Sequence, residues 1–197
     1  MRLEDLRRAL RARAFANLDL STISPEYRRS EGALREAAVL VPLFLRDGEP
    51  WVLLTRRSHV LGRHPGQISF PGGRVDPGEE SLAAALREAK EEVGVAPSDV
   101  GVLGRLSEVL VILTGFRLTP WVGVVPYPYP WVAHPGEVAE TLEVPVALLE
   151  RPGAHRTAMR EAHGMSHEVH FYTLGKDSIW GATARVLFEL LSVWRRA

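Results

Sequence analysis

Two periods of hydrophobic and polar positions divide the chain into elements. Leu3, Leu6, Leu10 and Ala14 recur at helical spacing between arginines, which predicts an amphipathic helix over the first fifteen residues, packed on the domain. Ser21 to Gly32 is polar, carries Pro25, Arg28 and Arg29, and reads as a loop. Ala37 to Leu45 and Trp51 to Thr55 are apolar runs on either side of Arg46-Asp47-Gly48-Glu49-Pro50, so turn chemistry joins two strands into a hairpin. Gly62, Pro65, Gly66, Pro71, Gly72, Gly73, Pro77 and Gly78 crowd Ser58 to Gly78, which therefore reads as a structured loop.

From Glu80 to Val93 the apolar positions Leu82, Ala85, Leu86, Ala89 and Val93 keep a helical period, and Gly94 follows as a stop. Val102 to Leu113 and Arg117 to Val125 predict a second hairpin through Thr114-Gly115-Phe116. Proline-rich Tyr127 to Gly136 reads as a loop, and Val144 to Leu149 as a short helix ended by Arg151-Pro152-Gly153. His155 to Arg160 and His167 to Leu174 suit strands, and Trp180 to Trp194 a closing helix. Strands and helices mix without βαβ alternation, which predicts an α+β fold, an α/β/α sandwich around a mixed sheet. A length of 197 residues suits one domain, 1–197, with 1–30 as an N-terminal helical extension.

Composition narrows the chemistry. With no cysteine there is no disulfide framework, no thiolate nucleophile and no cysteine zinc site. Twenty-four basic against 24 acidic residues leave no global field to draw the molecule onto nucleic acid or an anionic membrane. The longest apolar stretch, Ala37 to Leu45, falls far short of the ~20 residues that span a bilayer. The start, Met1-Arg2-Leu3-Glu4-Asp5, lacks the apolar core of a secretory signal, so a cytoplasmic location is expected.

On the Glu80 to Val93 helix a turn of about 100° per residue gathers Glu88, Glu91 and Glu92 within an arc of about 100°, apart from the apolar arc, so they are expected outside the core. Three like charges on one face need a cationic partner. Arg87 and Lys90 are the ordinary choice; hard oxygen ligands without His or Cys also suit Mg²⁺ or Mn²⁺. Gly72 and Gly73, just upstream, give a backbone able to approach a ligand closely.

Gly73, five residues, Glu79, seven residues, then Arg87-Glu88-Ala89-Lys90-Glu91-Glu92-Val93-Gly94-Val95 resembles a complete Nudix box, residues 73–95. Seven fixed identities at about 7% frequency each make a chance match on the order of 10⁻⁸ per starting position. The resemblance implies the Nudix fold and metal-assisted cleavage of a nucleoside diphosphate linked to another moiety. It implies that Glu88, Glu91 and Glu92 hold Mg²⁺ or Mn²⁺ with the Gly73 carbonyl nearby, while Arg87 and Glu79 brace loop against helix.

Leu53 to Gly73 is similar to the additional signature of coenzyme A pyrophosphatases, with Thr55, Arg57, Ser58, Gly66 and Phe70-Pro71-Gly72-Gly73 in place. Where that signature has a second arginine this chain has Gly62, with Arg63 one residue later. The resemblance implies cleavage of CoA to 4′-phosphopantetheine and adenosine 3′,5′-bisphosphate. Arg57, Ser58, Arg63, Gly66, Phe70 and Gly72 are then the candidate substrate-binding residues, with Arg57 and Arg63 as phosphate donors. ADP-ribose or another nucleoside diphosphate derivative is the alternative substrate, and a nucleotide sensor without turnover the alternative class. For a base beyond the box, Glu137 and Glu140 are best placed in chain order, ahead of Glu108. His163, His167 and His170 are expected on mixed faces, and Trp121 and Trp131 in packing.

Overall fold

A computed structural model describes residues 3–12, 34–59, 66–162 and 165–197. In chain order its elements are α1 (Leu3–Ala12), β1 (Arg35–Arg46), β2 (Glu49–Arg57), β3 (Ile68–Ser69), β4 (Gly72–Arg74) and α2 (Ser81–Val93). There follow β5 (Gly101–Arg105), β6 (Val109–Val111), β7 (Phe116–Val124), β8 (Val138–Pro145), α3 (Val146–Leu149), β9 (His155–Ala162), β10 (Met165–Leu174), β11 (Asp177–Trp180) and α4 (Gly181–Trp194).

The apolar run of β1 is buried on both faces, which makes it a central strand. It returns into β2 through Asp47 and Gly48, both at positive φ, as expected for a tight hairpin. On its other edge β1 pairs in parallel with β7, and every other pairing in the sheet is antiparallel, so the sheet is mixed. Ala38 and Leu40 face α2, meeting Ala84, Ala85 and Ala89. Val41 and Leu43 belong to a larger core shared with Leu6 and Leu10 of α1 and Leu187 and Leu190 of α4. Helices thus cover both faces, the expected α/β/α arrangement. No described helix is long and apolar enough to cross a membrane.

Several predicted elements are altered. The first helix spans Leu3–Ala12, while Ala14 and the loop at 21–32 lie outside the described residues. The glycine-rich loop contains β3 and β4, because Gly72 lies so close to β1 that a Cβ on it would meet Ala38 O at 2.4 Å and Val39 Cα at 2.6 Å. The strand expected from 102 to 113 splits into β5 and β6: the pairing with β7 slips between Val102 and Gly104, and the Ser107 amide and hydroxyl both donate to the buried Glu189.

β8 and β11 are strands that the sequence reading did not place. β8 carries polar Glu140, Thr141 and Glu143 between its apolar positions, and its pairing with the outer edge of β2 makes it extended. Trp180 ends β11 instead of opening the last helix, which begins at Gly181 with positive φ. β9, β10 and β11 form a separate antiparallel sheet.

Candidate active site

The loop from Gly72 to Glu80 and the helix α2 form a cup whose contacts radiate from Arg87. Its Nε and Nη2 donate to both carboxylate oxygens of Glu79 at 2.9 and 3.0 Å, and Nη2 donates to the Arg74 carbonyl at 3.0 Å. Its Nη1 donates to Glu88 at 2.8 Å and to Glu91 at 3.3 Å. The Asp76 amide donates to Glu79, closing the turn. Arg87 holds the Glu79 carboxyl below the usual carboxylate range, and Glu79 and Glu88 raise the guanidinium in return. These contacts tie the loop to the helix.

Glu92 departs from expectation, being 4% exposed. By helix geometry it lies only about 20° from Ala85, a core residue seven positions earlier, so α2 sinks it against the sheet as its alanines pack. Burial pushes its carboxyl up to about 8. The Gly72 amide, which donates to it at 3.3 Å, and nearby Arg57 act against that, while Glu88 and Glu137 add to it. Glu88 is also raised, chiefly by desolvation. Gly73 makes room for it, since a Cβ there would fall 2.4 Å from the Glu88 carboxyl. Glu91 remains about half exposed.

Arg87 draws Glu88 and Glu91 toward itself, and among the described residues no three His, Asp or Glu side chains converge to hold a metal ion. The donor set nevertheless suits a hard divalent cation. Two desolvated carboxylates, Glu88 and Glu92, stand over a glycine backbone whose carbonyl is unencumbered by a side chain.

Gly72, where the loop begins, also lines a cleft of about 900 Å³ whose walls include Arg57, Glu108, Arg160, His167 and Arg185. The Arg57 amide donates to Gln67 O and its carbonyl accepts from Gly66, closing the base of the preceding loop. Gly66 has φ +71, and a Cβ on it would press His59 at 3.0 Å. Phe70 lines this region from within the fold at 3% exposure, and Ser58, 6% exposed, donates its amide to the Glu137 carbonyl at 2.8 Å. Arg63, like His163, lies outside the described residues.

Of the candidate bases, Glu137 is exposed and close enough to raise both Glu88 and Glu92. Glu140 is engaged with Arg56 at 2.6 Å, and Glu108 with Arg105 at 3.7 Å. Trp121 donates to Ser81 and Trp131 to Glu143, and neither lines the cleft. His167 faces the cleft, whereas His170 turns to the other side of β10 and meets His155 at 2.9 Å. Sequence reasoning overlooked Arg160, His167 and Arg185 as cleft residues. Arg156 and Arg160, four positions apart and so on one face of β9, were the available signal, and strand order alone did not say what that face would join.

A family model described as the NUDIX domain matches residues 34–162. The chain belongs to the Nudix family. The uncharacterized Nudix hydrolase NudL of Cronobacter sakazakii is 43% identical over 169 residues, covering 85% of this chain and 87% of that protein. Among solved structures, RenU of M. smegmatis, a Nudix hydrolase, aligns over 59% of this chain and 74% of its own at TM-score 0.51 and 25% identity. A MutT/nudix family protein of Enterococcus faecalis aligns over 98% of this chain and 74% of its own at TM-score 0.57 and 19% identity, a likeness of fold. This Nudix protein is a hydrolase acting on pyrophosphate bonds.

Proposed function

We propose that this Nudix hydrolase is a metal-dependent pyrophosphohydrolase that cleaves the diphosphate of coenzyme A or its derivatives to 4′-phosphopantetheine and adenosine 3′,5′-bisphosphate. The observation that carries the reading is the run Leu53 to Gly73, in which Arg57 and Gly72, both lining the cleft, stand near Glu92 while Gly73 lies against Glu88. Glu88, Glu91, Glu92 and the Gly73 carbonyl would hold Mg²⁺ or Mn²⁺. When bound, the ion neutralises phosphate oxygens and lowers the pKa of an attacking water. Arg57 donates to a phosphate oxygen of the diphosphate, and Arg87 and Glu79 keep helix and loop in register. Glu137, exposed at the mouth of the cup, accepts the proton in preference to Glu140, which Arg56 occupies. The same reading treats residues 1–197 as one catalytic domain.

Gly62, where the coenzyme A signature has an arginine, favours ADP-ribose as the second candidate substrate. Incubation of purified protein with CoA and with ADP-ribose, each with Mg²⁺ or with EDTA, decides between them. Metal-dependent release of 4′-phosphopantetheine with ADP-ribose intact supports the proposal. Cleavage of ADP-ribose with CoA intact overturns it.

A further inference from the structure

The sheet β9-β10-β11 lies mostly beyond the matched segment 34–162, and its two faces differ. By register and alternation, His155, His170, Tyr172 and Ile179 share one face. Tyr172 and Ile179 are buried in the core with α4, and both histidine rings lie against Phe188. The opposite face carries Arg156, Ala158 and Arg160 on β9, paired with Phe171, Val169 and His167 on β10, and Trp180 beyond Phe171. Arg160, His167, Val169, Phe171 and Trp180 line the cleft that begins at Gly72 and Arg57.

Arg160 stands directly opposite His167. Directly opposed residues have Cβ atoms about 5 Å apart, so a guanidinium fork and an imidazole can serve one oxyanion between them. Neither has an ion-pair partner among the described residues, and His167 Nδ1 is buried without a hydrogen bond. The nearest acids in sequence, Glu161 and Glu168, also border the cleft, but by alternation they belong to the other face of the sheet, where Glu168 stands 3.6 Å from His170. A pair of nitrogen donors without an ion-pair partner among the described residues, on the wall of a cleft as large as a nucleotide that Glu108 also lines, is arranged to receive an anion.

We propose that Arg160 and His167 form a second anion site on the far wall of this cleft, which takes a phosphomonoester carried by the substrate in addition to the diphosphate that is cut. The inference rests on the reading of the Gly72 to Glu92 cup as the place of diphosphate cleavage. It makes the preferred substrate a nucleoside diphosphate derivative bearing a further phosphate. Trp180, the register partner of Phe171, offers apolar surface to the attached base, next to the Phe171 ring, over which the Arg156 guanidinium lies at 4.1 Å.

Titration calorimetry with adenosine 3′,5′-bisphosphate and with adenosine 5′-monophosphate, both in Mg²⁺, tests the site without turnover. The unaltered protein should bind the bisphosphate about tenfold more tightly or better. In Arg160→Ala that preference should collapse toward unity, in His167→Ala it should shrink, and Arg160→Lys should recover part of it. General damage to the fold weakens both ligands together and leaves their ratio, so the ratio is the readout. Equal affinity of the unaltered protein for the two ligands, including no binding of either, overturns the site; so does a preference that survives both alanine variants. Hydrolysis of CoA, followed separately, tests the parent reading: a normal binding ratio without hydrolysis sinks the cleavage proposal and leaves the anion site standing.

Discussion

The box helix α2 and the cleft face of β9-β10-β11 use charge in opposite ways. On α2, small residues let the helix sink against β1, and the carboxylates of Glu88 and Glu92 are desolvated with it. On the second sheet Arg160 is exposed and His167 half-buried on the wall of the cleft. A group that must bind a divalent ion tightly gains from a low dielectric, whereas a group that selects among substrates needs only a reachable donor. In the proposed reading the first arrangement is costly to the fold until a cation is bound, and the second is less so.

That contrast is sharpest at Glu92. In Glu92→Gln, turnover should fall on the order of 10³-fold, while the metal-free protein at pH 8 melts at a higher temperature because no charge is left to bury. Turnover assays and melting curves read the two effects, and a loss of both would make Glu92 a packing residue and dissolve the comparison. Gly73→Ala places a methyl group against the Glu88 carboxyl and should lower kcat by about 10- to 100-fold, with about 1–3 kcal/mol of stability lost to strain. An unchanged kcat would show that Glu88 moves freely.

A smaller effect separates the candidate bases. Glu137→Gln should reduce kcat by about tenfold or more, whereas Glu140→Gln removes one exposed ion pair with Arg56 and should shift stability by no more than about 1 kcal/mol at unaltered kcat. Equal kcat values for the two variants would leave the base unassigned to either.

The pH dependence of the metal-free fold has a definite sign. Burial raises Glu92 to about 8, so between the ordinary carboxylate range and that value the folded chain holds a proton that the unfolded chain has released. The stability is complete at low pH and is lost as pH rises through about 8. Melting temperature in EDTA should therefore decline from pH 5 to 8, more in the unaltered protein than in Glu92→Gln, and Mg²⁺ should reverse the decline. Parallel curves for the two proteins would contradict the burial account.

How legible these regions were in the sequence follows the same division. The box lies on one loop and one helix, where fixed spacing is fixed geometry, so Glu79, Arg87 and Glu88 could be placed from the chain alone. The burial of Glu92 could not, because an angular margin of about 20° between it and Ala85 is decided by how deeply the helix sinks. β8 and β11 escaped because each is held extended by a neighbouring strand more than by its own pattern.

By itself the sequence determined the hairpin of β1 and β2, the helices, the mixed α+β class and the box, since each is a local pattern with a local physical cause. Only the tertiary structure decided that Arg57 stands near Glu92, that Glu137 reaches the cup while Glu140 is occupied, and that Arg160 opposes His167 across two strands. Those relations depend on strand order, register and the depth of packing, which arise from the burial of the whole core and are written in no short stretch of the chain.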